Sequence, residues 1–161
     1  MDTFIVVDHT KSKIEIYQSI LPQIQSLLEG ENDLIANIAN VSAALKMSFP
    51  SFSWVGFYLK KGNELILGPF QGKPACVRIA VGKGVCGTAA ERKSTVIVPD
   101  VTRFPGHIAC DSDSRSEIVV PMMKGDLLGV LDIDSVKVNN FDETDKMYLE
   151  KLLHILIEES F

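Results

Sequence analysis

The 161-residue sequence predicts an α+β domain, a mostly antiparallel sheet covered on one face by the terminal helices and roofed on the other by connecting segments. Three observations predict it. Helical periodicity is concentrated at the two ends of the chain, β-branched and aromatic runs fill the middle, and most of those runs come in pairs joined by short turns. Hydrophobic residues make up 46% and charged residues 23%, an ordinary globular balance in a chain long enough to bury a real core. We read one domain over residues 1–161, with an N-terminal helical segment at about 12–30 and a core at about 31–160.

The elements follow in order. Residues from Lys13 to Leu28 read as a helix interrupted near Pro22, because proline lacks the N–H that an inner turn requires. In ENDLIANIANVSAALKMSF, residues Leu34, Ile35, Ile38, Val41, Ser42 and Leu45 recur at helical spacing, and Asn32 or Asp33 can cap the start. FSWVGFYLKK (52–61) and ELILGPF (64–70) read as a hairpin across KGN. CVRIAV (76–81) reads as a strand, VGKGVCGTAAERK as a glycine-rich turn entering a short helix, and STVIVPD as a further strand. SEIVVPMMK (116–124) and DLLGVLDIDS (126–135) form a second hairpin about Gly125. Asp142 caps a last helix whose apolar stripe is Met147, Leu149, Leu152, Leu153 and Leu156.

Composition excludes several classes. The net charge of −5 and a pI near 5.2 offer no basic stripe, so nucleic acid is not expected as a partner. No run reaches the length of a membrane span. MDTFIVVDHTKSK has neither the basic nor the long apolar region of a signal peptide, so the expected location is cytoplasmic, where thiols stay reduced. Three cysteines, an odd number, point to chemistry or metal rather than to a secreted disulfide framework.

Cys110 lies in GHIACDSDSRSE, a polar stretch in which a structural cysteine has no apolar burial to gain. Cys76 and Cys86 lie at a strand edge and in a glycine-rich loop. The plain alternative for all three is the buried small hydrophobe. A zinc site from the cysteines and His107 is a weaker reading, because there is no C-x-x-C pair and H-x-x-C alone is unspecific; no metal and no cofactor are expected. VGKGVCG lacks the pattern of a phosphate-binding loop.

Asp132 and Asp134 are two apart on a strand and therefore share a face, while Leu131 and Ile133 point to the helix-covered core. With the hairpin paired about Gly125, Glu117 falls opposite residue 133 and near both aspartates. Crowded carboxylates raise the pKa of at least one, which makes a proton donor near neutral pH. A solvated outer sheet face is the alternative. WVGFY puts Trp54, Gly56 and Tyr58 on one face, leaving a notch with aromatic walls suited to a small apolar or methyl group, with plain core packing as the alternative that an isolated W-x-G-x-Y would favour.

Taken in series, SWVGFY, GPFQGKPACVRI, GKGVCGTAA, VPDVTRFPGHIACD, SRSEIVVP and GVLDIDS resemble a single GAF domain over about residues 31–160. More closely, they resemble the free methionine-(R)-sulfoxide reductases built on that fold, down to the cysteine spacings of nine and then 23 intervening residues. The resemblance implies a GAF-like fold and Cys110 as the catalytic cysteine. It further implies Cys76 as the cysteine that resolves it, and Cys86 as one that can assist. Glu117, Asp132 and Asp134 become the acidic substrate pocket, and Trp54 and Tyr58 its aromatic wall. It implies reduction of free methionine sulfoxide through a sulfenic acid and a disulfide, recycled by thioredoxin, in defence against oxidative stress, and it is compatible with a homodimer. The competing class is a non-catalytic GAF sensor of a small ligand.

The residues agree with the enzyme. Carboxylates hold a free ammonium that a peptide-bound residue lacks, and aromatic rings pack a methyl. One conflict is written into the sequence: carboxylates around Cys110 disfavour its thiolate. His107, Arg103 or Arg115, or the bound ammonium itself, is expected to offset them.

Overall fold

The computed structural model describes residues 4–161. Among them, strands β1 (Trp54–Lys61), β2 (Glu64–Gln71), β3 (Arg78–Ala80), β4 (Val96–Val98), β5 (Ser116–Lys124) and β6 (Asp126–Ser135) form one sheet. Their order is β3-β2-β1-β6-β5-β4, and every neighbouring pair is antiparallel. Helices α1 (Lys13–Leu28), α2 (Leu34–Ser48) and α4 (Glu143–Ser160) pack together on one face. This is the expected α+β architecture.

The opposite face carries more than loops. Helix α3 (Gly84–Arg92) lies there and builds a second apolar cluster with Val85, Ala89, Val119 and Val130, separate from the main helix-side core of Ile24, Leu45, Ile118, Ile133 and Leu152. The sheet is thus buried on both sides. Segments 72–77 and 99–115 complete the roof.

Four expected details differ. Helix α1 runs unbroken through Pro22. A proline inside a helix costs about 3 kcal/mol, but Tyr17, Ile20, Leu21, Ile24 and Leu28 are all buried along this helix. Burial of side chains of this size contributes about 1.5–3 kcal/mol each, which outweighs the loss. In α4 the buried stripe includes Tyr148, Leu149, Leu152, Leu153 and Leu156, whereas Met147 is exposed. Tyr148 takes the core position one step around the helix, stacked on Tyr17 at 5.1 Å. Ile35 is likewise exposed on α2. CVRIAV shortens to the three residues of β3 because Cys76 is turned toward the roof and Val77 is exposed.

One buried polar knot ties α1 to α4. Asp145, fully buried, accepts from the Tyr17 hydroxyl at 2.6 Å, from Lys13 Nζ at 2.7 Å and from the Asp142 amide at 2.9 Å. Burial pushes the Tyr17 phenol well above its usual range, so it remains a donor. Asp145→Ala leaves the buried Tyr17 hydroxyl without its acceptor and removes the shorter of the two Lys13 ion pairs, a loss of about 3 kcal/mol. Asp142→Ala removes a helix cap and a long, exposed ion pair with Lys13, about 1 kcal/mol in all. Urea unfolding of the two variants is expected to show that order; equal small losses would contradict the knot.

Candidate functional site

Sheet register decides which side chains meet. In the β5–β6 hairpin Met123 faces Leu127, but Met122 faces Gly129, so Leu128 is an extra residue in β6. This bulge shifts everything beyond it by one place. Glu117 therefore pairs with Asp134, not with residue 133. The difference matters, because a residue opposite Ile133 would point into the helix-side core. The bulge instead turns Glu117 to the face of Asp132 and Asp134. On the other side β1 pairs with β6, setting Trp54 opposite Asp134, Gly56 opposite Asp132 and Tyr58 opposite Val130. One face thus gathers all five expected residues of the acidic and aromatic sets.

The notch at Gly56 is filled from within. A Cβ there would collide with Phe70 and with the Trp54 ring 2.5 Å away. The indole lies across the glycine, stacks on Phe70 at 5.3 Å and stands 6.1 Å from the Tyr58 ring. Its Nε1 donates to the Lys73 carbonyl, and the Tyr58 hydroxyl donates to the Cys76 carbonyl. Gly56 therefore seats the tryptophan, and the two rings hold up the strand edge that carries Cys76.

Above this face is a small cavity of about 40 Å³ that opens to solvent. Trp54, Tyr58, Cys86, Cys110 and the three carboxylates all line it. Cys76 and Cys110 form a disulfide with Cα atoms 5.5 Å apart, so the structure presents an oxidised state. Both are partly exposed, while Cys86 is free and buried.

The electrostatics are one-sided. Glu117 and Asp132 are each 6% exposed, and among the described residues no cation pairs with either. Burial, then the charge of Asp132, holds the Glu117 carboxyl well above its usual range. Burial raises Asp132 to about 6, and burial followed by Asp132 raises Asp134. Burial and the Asp132 charge also push the Cys86 thiol up. Among the described residues, two buried side-chain polar atoms lack any partner, Asp132 Oδ1 and Ser114 Oγ, and both residues line this cavity.

The cation beside Cys110 is one the sequence reading did not single out. Lys73 Nζ lies 2.8 Å from Asp113 and 3.7 Å from Asp111, tying the roof segment of Cys76 to that of Cys110. The lysine written three residues before Cys76 was its signal. Of the expected cations, His107 is pushed toward neutrality by burial, Arg103 faces Asp100 at 3.6 Å, and Arg115 donates to the carbonyls of Ser112 and Ser114. The start of α3 was also missed as part of the site. Gly84, Val85 and Cys86 line the cavity, and no side chain caps the helix. Their amides precede the first intrahelical bond, from Gly87 N–H to the Lys83 carbonyl. Gly87 makes this placement possible, since a Cβ there would strike the Ala80 carbonyl.

Comparison with known proteins agrees with this geometry. A GAF domain family model matches residues 32–156. GAF domain-containing protein A of Dictyostelium discoideum is 60% identical over 147 residues, covering 90% of this chain and 92% of the relative. The free methionine-R-sulfoxide reductase of Saccharomyces cerevisiae is 46% identical over 154 residues, covering 90% of this chain and 86% of the relative. The crystal structure of the Neisseria meningitidis free methionine-R-sulfoxide reductase, in complex with its substrate, superposes with a TM-score of 0.92 at 47% identity, covering 98% of this chain and 96% of that one. The chain belongs to the GAF domain family, among the free methionine-R-sulfoxide reductases.

Proposed function

We propose that this protein reduces free L-methionine-(R)-sulfoxide, with Cys110 as nucleophile and Cys76 as the cysteine that closes the disulfide. The observation that carries the reading is the joining of Cys76 and Cys110 over a buried carboxylate cluster that has no ion-pair partner among the described residues. The substrate supplies what the cluster lacks. Its ammonium enters among Glu117, Asp132 and Asp134, its carboxylate meets the free amides at the start of α3, and its methyl packs against the Trp54 and Tyr58 rings. A peptide-bound methionine sulfoxide has no ammonium and cannot satisfy the cluster.

The chemistry follows from the raised carboxyl groups. A protonated carboxyl donates to the sulfoxide oxygen and makes sulfur electrophilic. The Cys110 thiolate attacks that sulfur; oxygen passes to Cys110 as a sulfenic acid and methionine leaves. The Cys76 thiol then displaces the hydroxyl as water, forming the disulfide. A dithiol protein of the thioredoxin class restores both thiols by exchange at the partly exposed bond. The path from Cys110 to Cys76 does not use Cys86, a buried thiol whose pKa burial raises, and the assisting role that the resemblance implies for it lies outside these steps. Lys73 answers the charge conflict around Cys110 by neutralising the two aspartates that follow it. The expected cytoplasmic location suits this use of reversible disulfides, and no helix among the described residues is long and apolar enough to cross a membrane.

The reading is tested by incubating the reduced protein with free L-methionine-(R)-sulfoxide, thioredoxin, its reductase and NADPH. NADPH consumption is expected with this epimer, none with Cys110→Ser, and turnover roughly 100-fold lower or less with the N-acetylated substrate, which lacks the ammonium. Binding of the sulfoxide without turnover, by a folded and reduced protein, would instead favour the sensor.

The cluster also trades stability for function. A carboxyl whose folded pKa is raised favours folding fully below its unfolded value and loses that contribution as pH climbs through the folded value. For Asp132 the window runs from 3.8 to about 6. Asp132→Asn removes the penalty and gives Glu117 an amide donor, while destroying the substrate site. The variant is expected to be inactive yet more stable than the parent at pH 8, by about 1 kcal/mol or roughly 2–4 °C in Tm, with the gain vanishing near pH 3.5. A loss of stability at pH 8 would contradict the account.

A further inference from the structure

Cys86 is a chemistry-bearing group of the cavity that the proposed reaction leaves unused. It sits in the first turn of α3, buried, and turned toward the carboxylate face. Its Sγ and one carboxylate oxygen each from Glu117 and Asp132 all lie within 4.8 Å of one another. An ammonium explains the two carboxylates, because they accept its hydrogen bonds. It does not explain a thiol, which is a poor acceptor for that purpose.

One sulfur and two oxygens converging from a helix and two strands suit a borderline-soft divalent cation, for which thiolate and carboxylate are both good ligands. The spacing permits it. Zinc–sulfur and zinc–oxygen bonds of about 2.3 and 2.0 Å place ligand atoms roughly 3–4 Å apart, a short contraction from the arrangement observed. Asp132 Oδ1, buried and without a hydrogen-bond partner, supplies an independent sign that something positive is received here. The cavity leads from solvent to all three ligands and leaves room for a water or a substrate atom in the fourth position.

We propose that Cys86, Glu117 and Asp132 form a binding site for zinc or a similar divalent cation, and that the bound ion excludes the substrate ammonium. Binding displaces the thiol proton of Cys86 and any proton held on the two carboxyls, so affinity rises with pH. The ion and the sulfoxide compete for the same carboxylates. A rise in free zinc therefore switches the enzyme off with no change at Cys76 or Cys110. The site differs from one built on His107 and the redox cysteines, because it remains complete when those two are joined. The competition rests on the substrate reading above; the metal site itself does not.

The oxidised protein isolates the question, because Cys86 is then its sole free thiol. Cobalt(II) is titrated into it at pH 7.5, followed by zinc against a chromophoric chelator. The expected result is one ion per chain at micromolar or tighter dissociation constant, with a thiolate-to-cobalt charge-transfer band that identifies Cys86 as ligand. Cys86→Ser is expected to abolish the band and weaken zinc binding at least tenfold. No stoichiometric binding by the unmodified oxidised protein, or binding without a thiolate band, overturns the site. Free methionine-(R)-sulfoxide in excess is expected to bleach the band. A band indifferent to the sulfoxide leaves the metal site standing and overturns the competition, and with it the placement of the substrate ammonium.

Discussion

The structure turns on an electrostatic imbalance. Glu117, Asp132 and Asp134 share one sheet face beneath a roof, and among the described residues no lysine, arginine or histidine pairs with them. Ionised carboxylates out of water, a few ångströms apart, are costly, so the folded protein keeps protons there that the unfolded chain would release. Those protons set the chemistry of the site. In the proposed reaction one protonated carboxyl is the donor, and the substrate ammonium is the cation that the cluster lacks.

The rest of the fold supports that imbalance. Helices α1, α2 and α4 build a core on the far face, and the Tyr17–Asp145–Lys13 knot fixes two of them together. A sheet anchored in this way can carry a destabilising cluster on its other side. Trp54 and Tyr58 serve twice, as walls of the cavity and as donors to the carbonyls of Lys73 and Cys76. Lys73 then joins that segment to the loop of Cys110. As an exposed ion pair this contact adds little stability. Its value is positional, since it spans the two segments that must meet for the disulfide to close.

Much of this was legible in the sequence. The two hairpins, the capped last helix and the shared face of Asp132 and Asp134 follow from alternation, turn residues and Asp142. Glu117 was placed among the aspartates, but by a register one residue out. The bulge at Leu128 has no signature in DLLGVLDIDS, and a shift of one residue exchanges the faces of a strand. Pro22 misled because local propensity was weighed without the burial that overrides it. Gly56 was read as a gap, yet only coordinates reveal that the Trp54 ring fills it. Lys73 escaped notice because its partners lie about forty residues away, beyond any local pattern.

The account stands or falls on whether the cluster holds a proton at neutral pH, and carboxyl carbon NMR titration of the reduced protein measures that directly. Assignment of Glu117, Asp132 and Asp134 through single Asn or Gln substitutions would follow their coupled titration between pH 3 and 9. At least one group is expected to titrate near or above 6, with its midpoint lowered when free methionine sulfoxide binds and its ammonium favours the ionised form. Three carboxyls titrating at ordinary values near 4, unmoved by the substrate, would contradict the account.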